Sequence, residues 1–301
     1  TSNLSYRYSA KSTAVVDNLS LQVPKKSIYG FLGHNGAGKT TTIRLLLGLL
    51  STGHSIQIFG QDLERHRSAI LGRIGALIEH PSLYGNLTAA ENLRVVCLYR
   101  QLAPAGIPAV LDTVGLARHA DRKAKNFSTG MKQRLGLAIA LLGNPELIIL
   151  DEPTNGLDPQ GMLEIRELIR RLNQEEGKTI FLSSHLLNEV EKICTHVGII
   201  RQGKMLFQGP VNQLKELHAG RLAVLIETDN NEAAREILGR HGFECRIDKA
   251  RLLVHIPSRS GIPRLIDLVR NEGIGIFEVK AESKSLEELF FSLHNDQNAA
   301  I

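Results

Sequence analysis

The sequence has no apolar stretch long enough to cross a lipid bilayer. A spanning helix needs about 18 or more consecutive apolar residues, and the best run, Leu45 to Leu50, is far shorter. The opening residues, Thr1 to Ala10, are polar and contain no apolar segment of the kind that marks a signal peptide. On this evidence we expect a cytosolic chain.

Cysteine is also scarce, which argues against disulfides and metal centres. Cys97, Cys194 and Cys245 are far apart in the chain, whereas disulfide frameworks and zinc sites carry cysteines at recognisable spacings. The 11 histidines show no ligand spacing either. We therefore interpret the three cysteines as buried thiols with a structural role.

The charge balance is basic without being extreme. The net charge is +5 and the isoelectric point is about 9.1, but no dense stripe of lysine and arginine is present. An anionic cofactor or a nearby membrane surface suits this charge as well as a nucleic acid does. With 43% hydrophobic and 22% charged residues over 301 positions, we expect a globular protein of two domains.

What the sequence does contain is an alternation of short apolar strands and helices. Strands are predicted at Leu19 to Val23, Ser27 to Leu32, Ser55 to Phe59, Ile74 to Ile78, Leu147 to Leu150, Thr179 to Leu182 and Val197 to Arg201. Helices are predicted at Thr41 to Leu50, Ala89 to Leu102, Pro104 to Leu116 and Met131 to Leu142. This alternation predicts an α/β core with a mostly parallel sheet.

The pattern changes near residues 218–220. Beyond them, strands are predicted at Arg221 to Glu227, Glu244 to Ile247, Arg251 to Ile256 and Gly275 to Lys280, and helices at Asn231 to His241, Ile262 to Asn271 and Ser285 to Leu293. The order is β-α-β-β-α-β plus a helix, which is the ferredoxin-like order. We predict a first domain over 1–218, a small α+β domain over 219–294 and a frayed tail over 295–301.

One glycine-rich stretch has the composition of a phosphate-binding loop. Residues Gly33 to Thr40 read GHNGAGKT, follow an apolar strand and precede an apolar helix, as the P-loop pattern requires. The glycines let backbone N–H groups converge, and the helix adds its positive N-terminal end. Lys39 can bridge the β- and γ-phosphates of a nucleotide, and the Thr40 hydroxyl can ligate Mg²⁺.

A second motif, LIILDEP, supplies carboxylates at the end of a strand. Asp151 closes the apolar run and is a candidate ligand of the metal, while Glu152 can accept a proton from an attacking water. A strand-end carboxylate can instead merely cap a helix or pair with a lysine. Beside a P-loop, the pair predicts binding and hydrolysis of a nucleoside triphosphate.

The stretch from Asn126 to Ala138, NFSTGMKQRLGLA, resembles the signature loop of ABC transporter ATPases. Ser128 and Gly130 keep two residues of its commonest form, Ser-Gly-Gly-Gln, while Thr129 and Met131 replace the first glycine and the glutamine. Taken alone, this fragment could be an ordinary N-cap before a helix. The order of motifs along the chain, however, is also similar to that of the ABC family.

The resemblance covers roughly Leu4 to Gln213 and implies further roles. His185, in FLSSH, corresponds to the switch histidine that contacts the γ-phosphate and steadies the general base. Asp158, in NGLD, corresponds to an aspartate that reaches across a dimer. Tyr8 resembles the aromatic residue that stacks on adenine, although Tyr6 is close by. The family's fold also implies a helical subdomain over about 80–143.

Glu79 stands where the family usually has a glutamine that touches Mg²⁺ and the attacking water. The surrounding IEHPSLYGNLT is similar to bacitracin-resistance and lantibiotic-immunity ATPase subunits, in which an acidic residue also occurs there. A carboxylate adds a negative charge near the γ-phosphate, a repulsion of roughly 4 kcal/mol at about 4 Å and an effective dielectric of about 20. We expect Mg²⁺ to offset this charge and Glu79 to tune coupling; the alternative is an exposed glutamate without a role.

The resemblance therefore implies a complete set of site residues. Catalysis is assigned to Glu152 and His185. Mg²⁺ is assigned to Thr40, Asp151 and Glu79. Contacts with ATP are assigned to Tyr8, Gly33, Asn35, Gly36, Ala37, Gly38, Lys39, Thr40, Thr41, Glu79, Ser128, Gly130 and Asp158.

The family's architecture also implies partners. Two nucleotide-binding domains pack head to tail with ATP between the P-loop of one and the signature loop of the other. Because this chain carries one copy of each motif, we expect a homodimer. The resemblance implies the ATPase subunit of an exporter at the cytoplasmic face of a membrane, docked on separate permease subunits through the surface from Glu79 to Leu87.

Two other functions compete with this interpretation. A soluble ABC ATPase acting on ribosomes or DNA is disfavoured because the sequence has no tandem copy of the motifs, no long insertion before the signature loop and no basic stripe. A nucleotide-binding regulator without turnover is disfavoured because Lys39, Asp151, Glu152 and His185 are all present. Antibiotic or lantibiotic peptides as cargo rest on the resemblance alone.

Overall fold

The computed structural model describes residues 1–9, 11–79, 81–217, 222–248 and 251–282. By its internal contacts the chain divides into two compact units, Thr1–Val211 and Asn212–Ile301. The domain boundaries given above stay predictions. The helix predicted from Ser285 to Leu293 and the tail from Asn295 to Ile301 lie outside the described residues.

The first unit alternates strands and helices. Its strands are β1 (Leu4–Tyr6), β2 (Val16–Leu19), β3 (Ile28–Leu32), β4 (Gln57–Ile58), β5 (Gln61–Asp62), β6 (Ile74–Leu77), β7 (Leu147–Asp151), β8 (Thr179–Ser184), β9 (His196–Arg201) and β10 (Lys204–Pro210). Its helices are α1 (Lys39–Leu46), α2 (Arg67–Gly72), α3 (Ala89–Arg100), α4 (Ile107–Thr113), α5 (Thr129–Leu141), α6 (Pro159–Gln174), α7 (Leu187–Ile193) and α8 (Val211–Leu217), which begins at the last residue of this unit. Short 3-10 helices span Pro104–Gly106, Ala117–His119 and Ala124–Asn126.

The central sheet has the strand order β10-β9-β3-β8-β7-β6. Strands β9, β3, β8, β7 and β6 run parallel, and β10 pairs antiparallel with β9 at one edge. Every residue of β3 is buried, as expected of a central strand covered on both faces. This sheet confirms the predicted α/β class, and it brings the carboxyl ends of β3, β8, β7 and β6 to one edge.

Glycines let two helices approach the sheet closely. A Cβ added at Gly75 in β6 would lie 1.9 Å from the carbonyl oxygen of Ala140 in α5, and one at Gly30 in β3 would lie 2.6 Å from Val190 in α7. Contacts this short are impossible for real side chains. Hydrogen at these positions is therefore what allows α5 and α7 to lie against the strands.

The strand predicted from Leu19 to Val23 is wrong. Strand β2 ends at Leu19 and pairs antiparallel with β1. Beyond it, the N–H of Leu21 donates to the carbonyl of Thr1 at 3.2 Å, outside a strand ladder, and its side chain is buried. The apolar alternation continues there because the side chains pack into the core, although the backbone has left the sheet.

The strand predicted from Ser55 to Phe59 is shorter in the structure. Only Gln57–Ile58 is a strand, because Phe59 and Gly60 have φ angles of 56° and 77° and reverse the chain into β5. Sequence analysis did not predict β1, β5, β10, α2, α6, α7 or α8. Helix α6 nevertheless has a sequence signal, since Asp158 caps it by accepting from the Gly161 N–H at 2.9 Å.

The three cysteines are free, but the prediction that all of them are buried is wrong for Cys245. Cys97 and Cys194 are buried, and Cys245 is partly exposed. Burial, with a smaller contribution from the Glu189 carboxylate, raises the pKa of the Cys194 thiol. Within the described residues, no helix has both the length and the low polarity that a membrane span requires.

Beyond residues 212–217 of α8, which belong to the second unit, its described residues form a four-stranded antiparallel sheet with two α-helices. Its elements are β11 (Leu222–Thr228), α9 (Asn231–Arg240), β12 (Glu244–Asp248), β13 (Arg251–Ile256), a 3-10 helix (Arg259–Gly261), α10 (Ile262–Asn271) and β14 (Ile276–Glu282). The strand order is β12-β13-β11-β14, and the connectivity confirms the predicted ferredoxin-like order. Its core is formed by Val224, Ile226, Ala234, Leu238, Leu252, Val254, Ile256, Leu265 and Val269.

Substituting Gly75 tests the close approach of α5 to the sheet. We expect Gly75→Ala to lower the free energy of unfolding by about 1–3 kcal/mol, because the added methyl forces the helix away from β6. Urea unfolding followed by circular dichroism measures the change. Gly72→Ala is the matched control, since a Cβ there has nothing within 4 Å. Equal unfolding midpoints for the two variants would contradict the packing described.

Candidate active site

The carboxyl ends of three neighbouring parallel strands build the candidate site. The loop after β3 carries the P-loop, β7 ends at Asp151 with Glu152 next, and β8 is followed by His185. In the register of the sheet, Asp151 lies beside Ser183. Residues that are more than 100 positions apart in sequence therefore meet because parallel strands end at a common edge.

The P-loop has a conformation that depends on glycine. Gly36 and Gly38 have φ angles of 80° and 107°, which disfavour other residues. A Cβ at Gly38 would also lie 2.6 Å from the carbonyl oxygen of Val15. Helix α1 begins at Lys39, and no described side chain caps it, so its first N–H groups are available to an anion.

Lys39 is buried and points back into the loop. Its ammonium group donates to the carbonyl of Gly33 at 2.7 Å and lies 3.2 Å from Glu152 Oε1. Only 6% of its surface is exposed. The charge is thus held by a carbonyl and a carboxylate at the position where a phosphate would approach.

Asp151 is a buried carboxylate held by two hydroxyl groups. The Thr40 hydroxyl donates to its Oδ2 at 2.7 Å, and the Ser183 hydroxyl donates to its Oδ1. Ser183 in turn accepts from the backbone N–H of Glu152 at 2.9 Å. Because Asp151 is 2% exposed, these charge-assisted bonds are needed to offset the loss of water.

Glu152 and His185 form a contact pair. His185 Nδ1 lies 2.7 Å from Glu152 Oε2, and the side chains are 35% and 21% exposed. Glu152 has a φ angle of 50°, which is uncommon for a residue with a side chain and is typical of functional sites. This carboxylate is accessible, oriented by an imidazole and able to accept a proton.

Lys39, Thr40, Glu152 and His185 border an open cleft of about 380 Å³. Its lining residues are Val15, Asn35, Gly36, Gly38, Lys39, Thr40, Thr41, Glu152, Asn155 and His185. The lining combines backbone N–H groups, one ammonium group, hydroxyls and one carboxylate. Such a set suits a phosphorylated ligand rather than an apolar one.

Tyr8 lies beside this cleft with its ring exposed. The phenolic hydroxyl is 3.2 Å from the Thr41 hydroxyl, and 54% of the residue surface is accessible. Tyr6 packs edge to face against it, with 5.1 Å between ring centroids. The arrangement leaves one aromatic surface next to the P-loop, where a base could stack.

Several predicted residues do not reach the cleft within one copy of the chain. Among the described residues, its lining includes none of Ser128, Gly130, Asp158 or Glu79. Ser128 accepts from the Met131 N–H at 3.2 Å and caps α5, while its side chain is exposed. Ser128 and Asp158 thus both begin helices, and both lie on the surface.

Glu79 is held by an arginine of the P-loop helix. Arg44 Nη2 lies 2.6 Å from Glu79 Oε1, with side chains 37% and 58% exposed. Arg44 is four residues after Thr40, so both lie on one face of α1. We expected Mg²⁺ to offset this carboxylate; the structure adds a protein cation that does so.

Sequence analysis missed four residues of this region. Ser183, Arg44, Asn155 and Val15 were not assigned roles, although the structure places each in the site or against it. Ser183 had a signal, since it stands two positions before His185 in FLSSH. Asn155 had one as well, because it opens the NGLD motif. Arg44 and Val15 had none, since their roles depend on tertiary contacts.

Comparison with known proteins agrees with this geometry. The sequence profile of the family described as ABC transporter matches residues 16–155. The chain is 42% identical over 302 aligned positions to the bacitracin transport ATP-binding protein BcrA of Bacillus licheniformis, covering 97% of this chain and 96% of that one. It is 43% identical to the lantibiotic transport ATP-binding protein SrtF of Streptococcus pyogenes, over 68% of this chain and 88% of that one.

Solved structures share the fold. One is titled as the ATP binding subunit of an ABC transporter, with a TM-score of 0.63, 31% identity and coverage of 72% of this chain and 91% of that one. Another is the ATP-binding cassette MJ0796 in a dimeric post-hydrolysis state with ADP and Pi, with a TM-score of 0.63, 22% identity and coverage of 70% and 97%. These findings confirm the predicted family: the chain belongs to the ABC transporter ATP-binding proteins and is an ATPase.

Proposed function

We propose that this chain powers an exporter by hydrolysing ATP in the cleft bordered by Lys39, Thr40, Glu152 and His185. The observation that carries the proposal is the convergence of a buried P-loop lysine, a hydroxyl–carboxylate pair and a carboxylate–imidazole pair at one sheet edge. Lys39 and the N–H groups of α1 bind the β- and γ-phosphates. Tyr8 stacks on the base.

Thr40 and Asp151 suit a magnesium ion bound together with the nucleotide. Their oxygens are 2.7 Å apart and are hard ligands. Among the described residues, no cluster of three or more His, Cys, Asp or Glu is arranged for a metal, as expected where phosphates and water complete the shell. The ion would neutralise charge on the phosphates.

Glu152 and His185 have separate roles in the proposed hydrolysis. Glu152 accepts a proton from the attacking water, and its open side gives access to the cleft. His185 holds the carboxylate in position through the 2.7 Å contact and lines the cleft in which the γ-phosphate would bind. Asp151, held by Thr40 and Ser183, keeps the end of β7 at the phosphate side of the site.

The site is completed by a second copy of the chain, packed head to tail. Ser128 lies on the surface at the start of α5, where its hydroxyl and nearby amides can bind the phosphates held by another P-loop. Asp158 is likewise exposed at the start of α6. The dimeric MJ0796 structure shares the fold with this chain.

The transport partners are separate permease subunits, at the cytoplasmic face of the membrane. The docking surface is the region from Glu79 to Leu87, extended by α3. Tyr84 is 56% exposed, and Leu98 and Tyr99 on α3 are 79% and 81% exposed, which is typical of an interaction surface. From the named transport functions of BcrA and SrtF, we infer that the cargo is an antibiotic or lantibiotic peptide.

Removing the general base is the central test. We expect Glu152→Gln to slow ATP hydrolysis by about 10²–10⁴-fold and to retain ATP binding, because the phosphate ligands remain. The variant also loses the ion pair with Lys39. Purified protein with Mg-ATP should then elute as a dimer in size-exclusion chromatography.

Glu146→Gln is the matched control for this substitution. Glu146 lies just before the start of β7, at the opposite end from Glu152, and pairs with Arg73 on the surface. The Glu146→Gln protein should therefore hydrolyse ATP at the wild-type rate. A Glu152→Gln protein that stays monomeric with saturating Mg-ATP, even beside its permease, would overturn the head-to-tail site.

A second prediction concerns the acidic residue held by Arg44. The half-exposed pair is worth only about 0–1 kcal/mol, so Glu79→Gln should change ATP affinity by less than about 5-fold. The coupling of ATP hydrolysis to transport should change more than the ATP affinity does, because Glu79 lies where the proposed permease surface begins. ATPase rate and drug resistance of cells carrying the permease measure the two effects; no change in either would show that Glu79 has no role.

The cargo is tested in cells. Expression of this chain with its permease in a bacitracin-sensitive strain should raise resistance to bacitracin, and Glu152→Gln should abolish the gain. Membrane fractions should contain the chain only when the permease is present. Co-sedimentation with ribosomes or DNA instead would favour the alternative, a soluble ABC ATPase that acts on them. Resistance to a different drug would contradict only the inferred cargo.

A further inference from the structure

A buried carboxylate next to the active site has no role in the proposed mechanism. Glu189, in α7, is 5% exposed. The Thr154 hydroxyl donates to its Oε2, and Arg166 Nη2 donates to its Oε1 at 3.1 Å. Thr154 is itself 7% exposed. The three side chains, here called the Glu189 cluster, come from three segments; Glu189 and Thr154 are buried, and Arg166 is partly buried.

Stability alone does not explain this cluster. Taking a carboxylate and a guanidinium out of water costs about as much as their attraction returns, and apolar residues of similar size often serve equally well. Within the part of the chain that the structure describes, the Arg166 Nε–H is buried without a hydrogen-bond partner, which adds a further cost. The arrangement favours a defined geometry over maximal stability.

The Glu189 cluster lies next to the contact pair of Glu152 and His185. Thr154 is two residues after Glu152, and Glu189 is four residues after His185. The contacts Thr154–Glu189 and Glu152–His185 thus join the same two segments, which leave the adjacent strands β7 and β8. The Ser183 contacts join these segments at the strand ends, and the Thr154–Glu189 contact restrains the loop two residues beyond Glu152.

Other contacts show that this loop is held from several sides. Gln133 in α5 donates to the Pro153 carbonyl at 2.9 Å, and the Asn155 N–H donates to the Glu152 carbonyl at 3.0 Å. The Glu152 backbone, however, has a φ angle of 50°, a conformation that persists only where its surroundings impose it. The Glu189 cluster joins this loop to α7, the helix that follows His185 in the chain.

We propose that Glu189 is a positioning residue that sets the Glu152–His185 contact by locking Thr154 to α7. The inference rests on the proposed function, since it assigns Glu152 and His185 to hydrolysis. It goes beyond that function because, among the described residues, Glu189 does not line the cleft. Arg166 holds the Glu189 carboxylate from α6.

The test removes one hydroxyl from the cluster. We expect Thr154→Val to lower kcat for ATP hydrolysis by about 10- to 100-fold, since a small displacement of a catalytic group has such an effect. The KM for Mg-ATP should stay within about two-fold of the wild type. Thr154→Ser, which keeps the hydroxyl, should restore kcat. Wild-type turnover by Thr154→Val would overturn the proposal.

Arg170→Ala is the matched control for the packing of the two helices. Arg170 in α6 donates to the Lys192 carbonyl in α7, so it joins the same helices without touching the Glu189 cluster. We expect this variant to keep wild-type turnover. An equal loss of kcat in Arg170→Ala would show that helix packing, and not the cluster, sets the rate.

A second readout does not depend on turnover. Without nucleotide, hydrogen exchange of the amides at 152 and 154–158 should become faster in Thr154→Val and should be unchanged in Arg170→Ala. Unchanged exchange in Thr154→Val would also overturn the proposal. If Glu152→Gln instead hydrolyses ATP normally, the proposed function fails, while the exchange measurement still decides whether the cluster holds this loop.

Discussion

The buried carboxylate of Asp151 joins the three segments on which the candidate site is built. It accepts one hydrogen bond from Thr40 at the start of α1 and one from Ser183 at the end of β8, and it is the last residue of β7. A charge that is 2% exposed is tolerated only with such partners. Because Ser183 also accepts from the Glu152 N–H, the same carboxylate orients the peptide that carries the proposed general base.

The parallel sheet determines which site residues one copy of the chain brings together. Strands β3, β7 and β8 end at one edge, and therefore the phosphate loop, the carboxylates and the imidazole meet there. Ser128 and Asp158 begin helices elsewhere on the surface and do not line the cleft among the described residues. On the proposed function, in which Ser128 and Asp158 complete the site of a second copy, nucleotide binding is coupled to association of the two copies.

Much of this arrangement could be predicted from local sequence. The P-loop from Gly33 to Thr40 and the strand-end pair Asp151 and Glu152 are contiguous motifs whose flanks show the strand and helix that position them. Ser183, Arg44 and Glu189 could not be identified in this way, because their roles arise from contacts between segments far apart in the chain. The strand predicted from Leu19 to Val23 failed for a related reason: burial produced the apolar alternation, and pairing, which defines a strand, had ended.

The charges of the site are paired in a way that a triphosphate would rearrange. Glu152 shares its carboxylate between Lys39, at 3.2 Å, and His185, at 2.7 Å. Phosphates bound at the P-loop compete with Glu152 for Lys39, since they carry more charge and lie at the helix N-terminus. Glu152 would then keep His185 alone and have a free oxygen facing the cleft. On the proposed function, binding of the substrate is therefore also the event that releases the base.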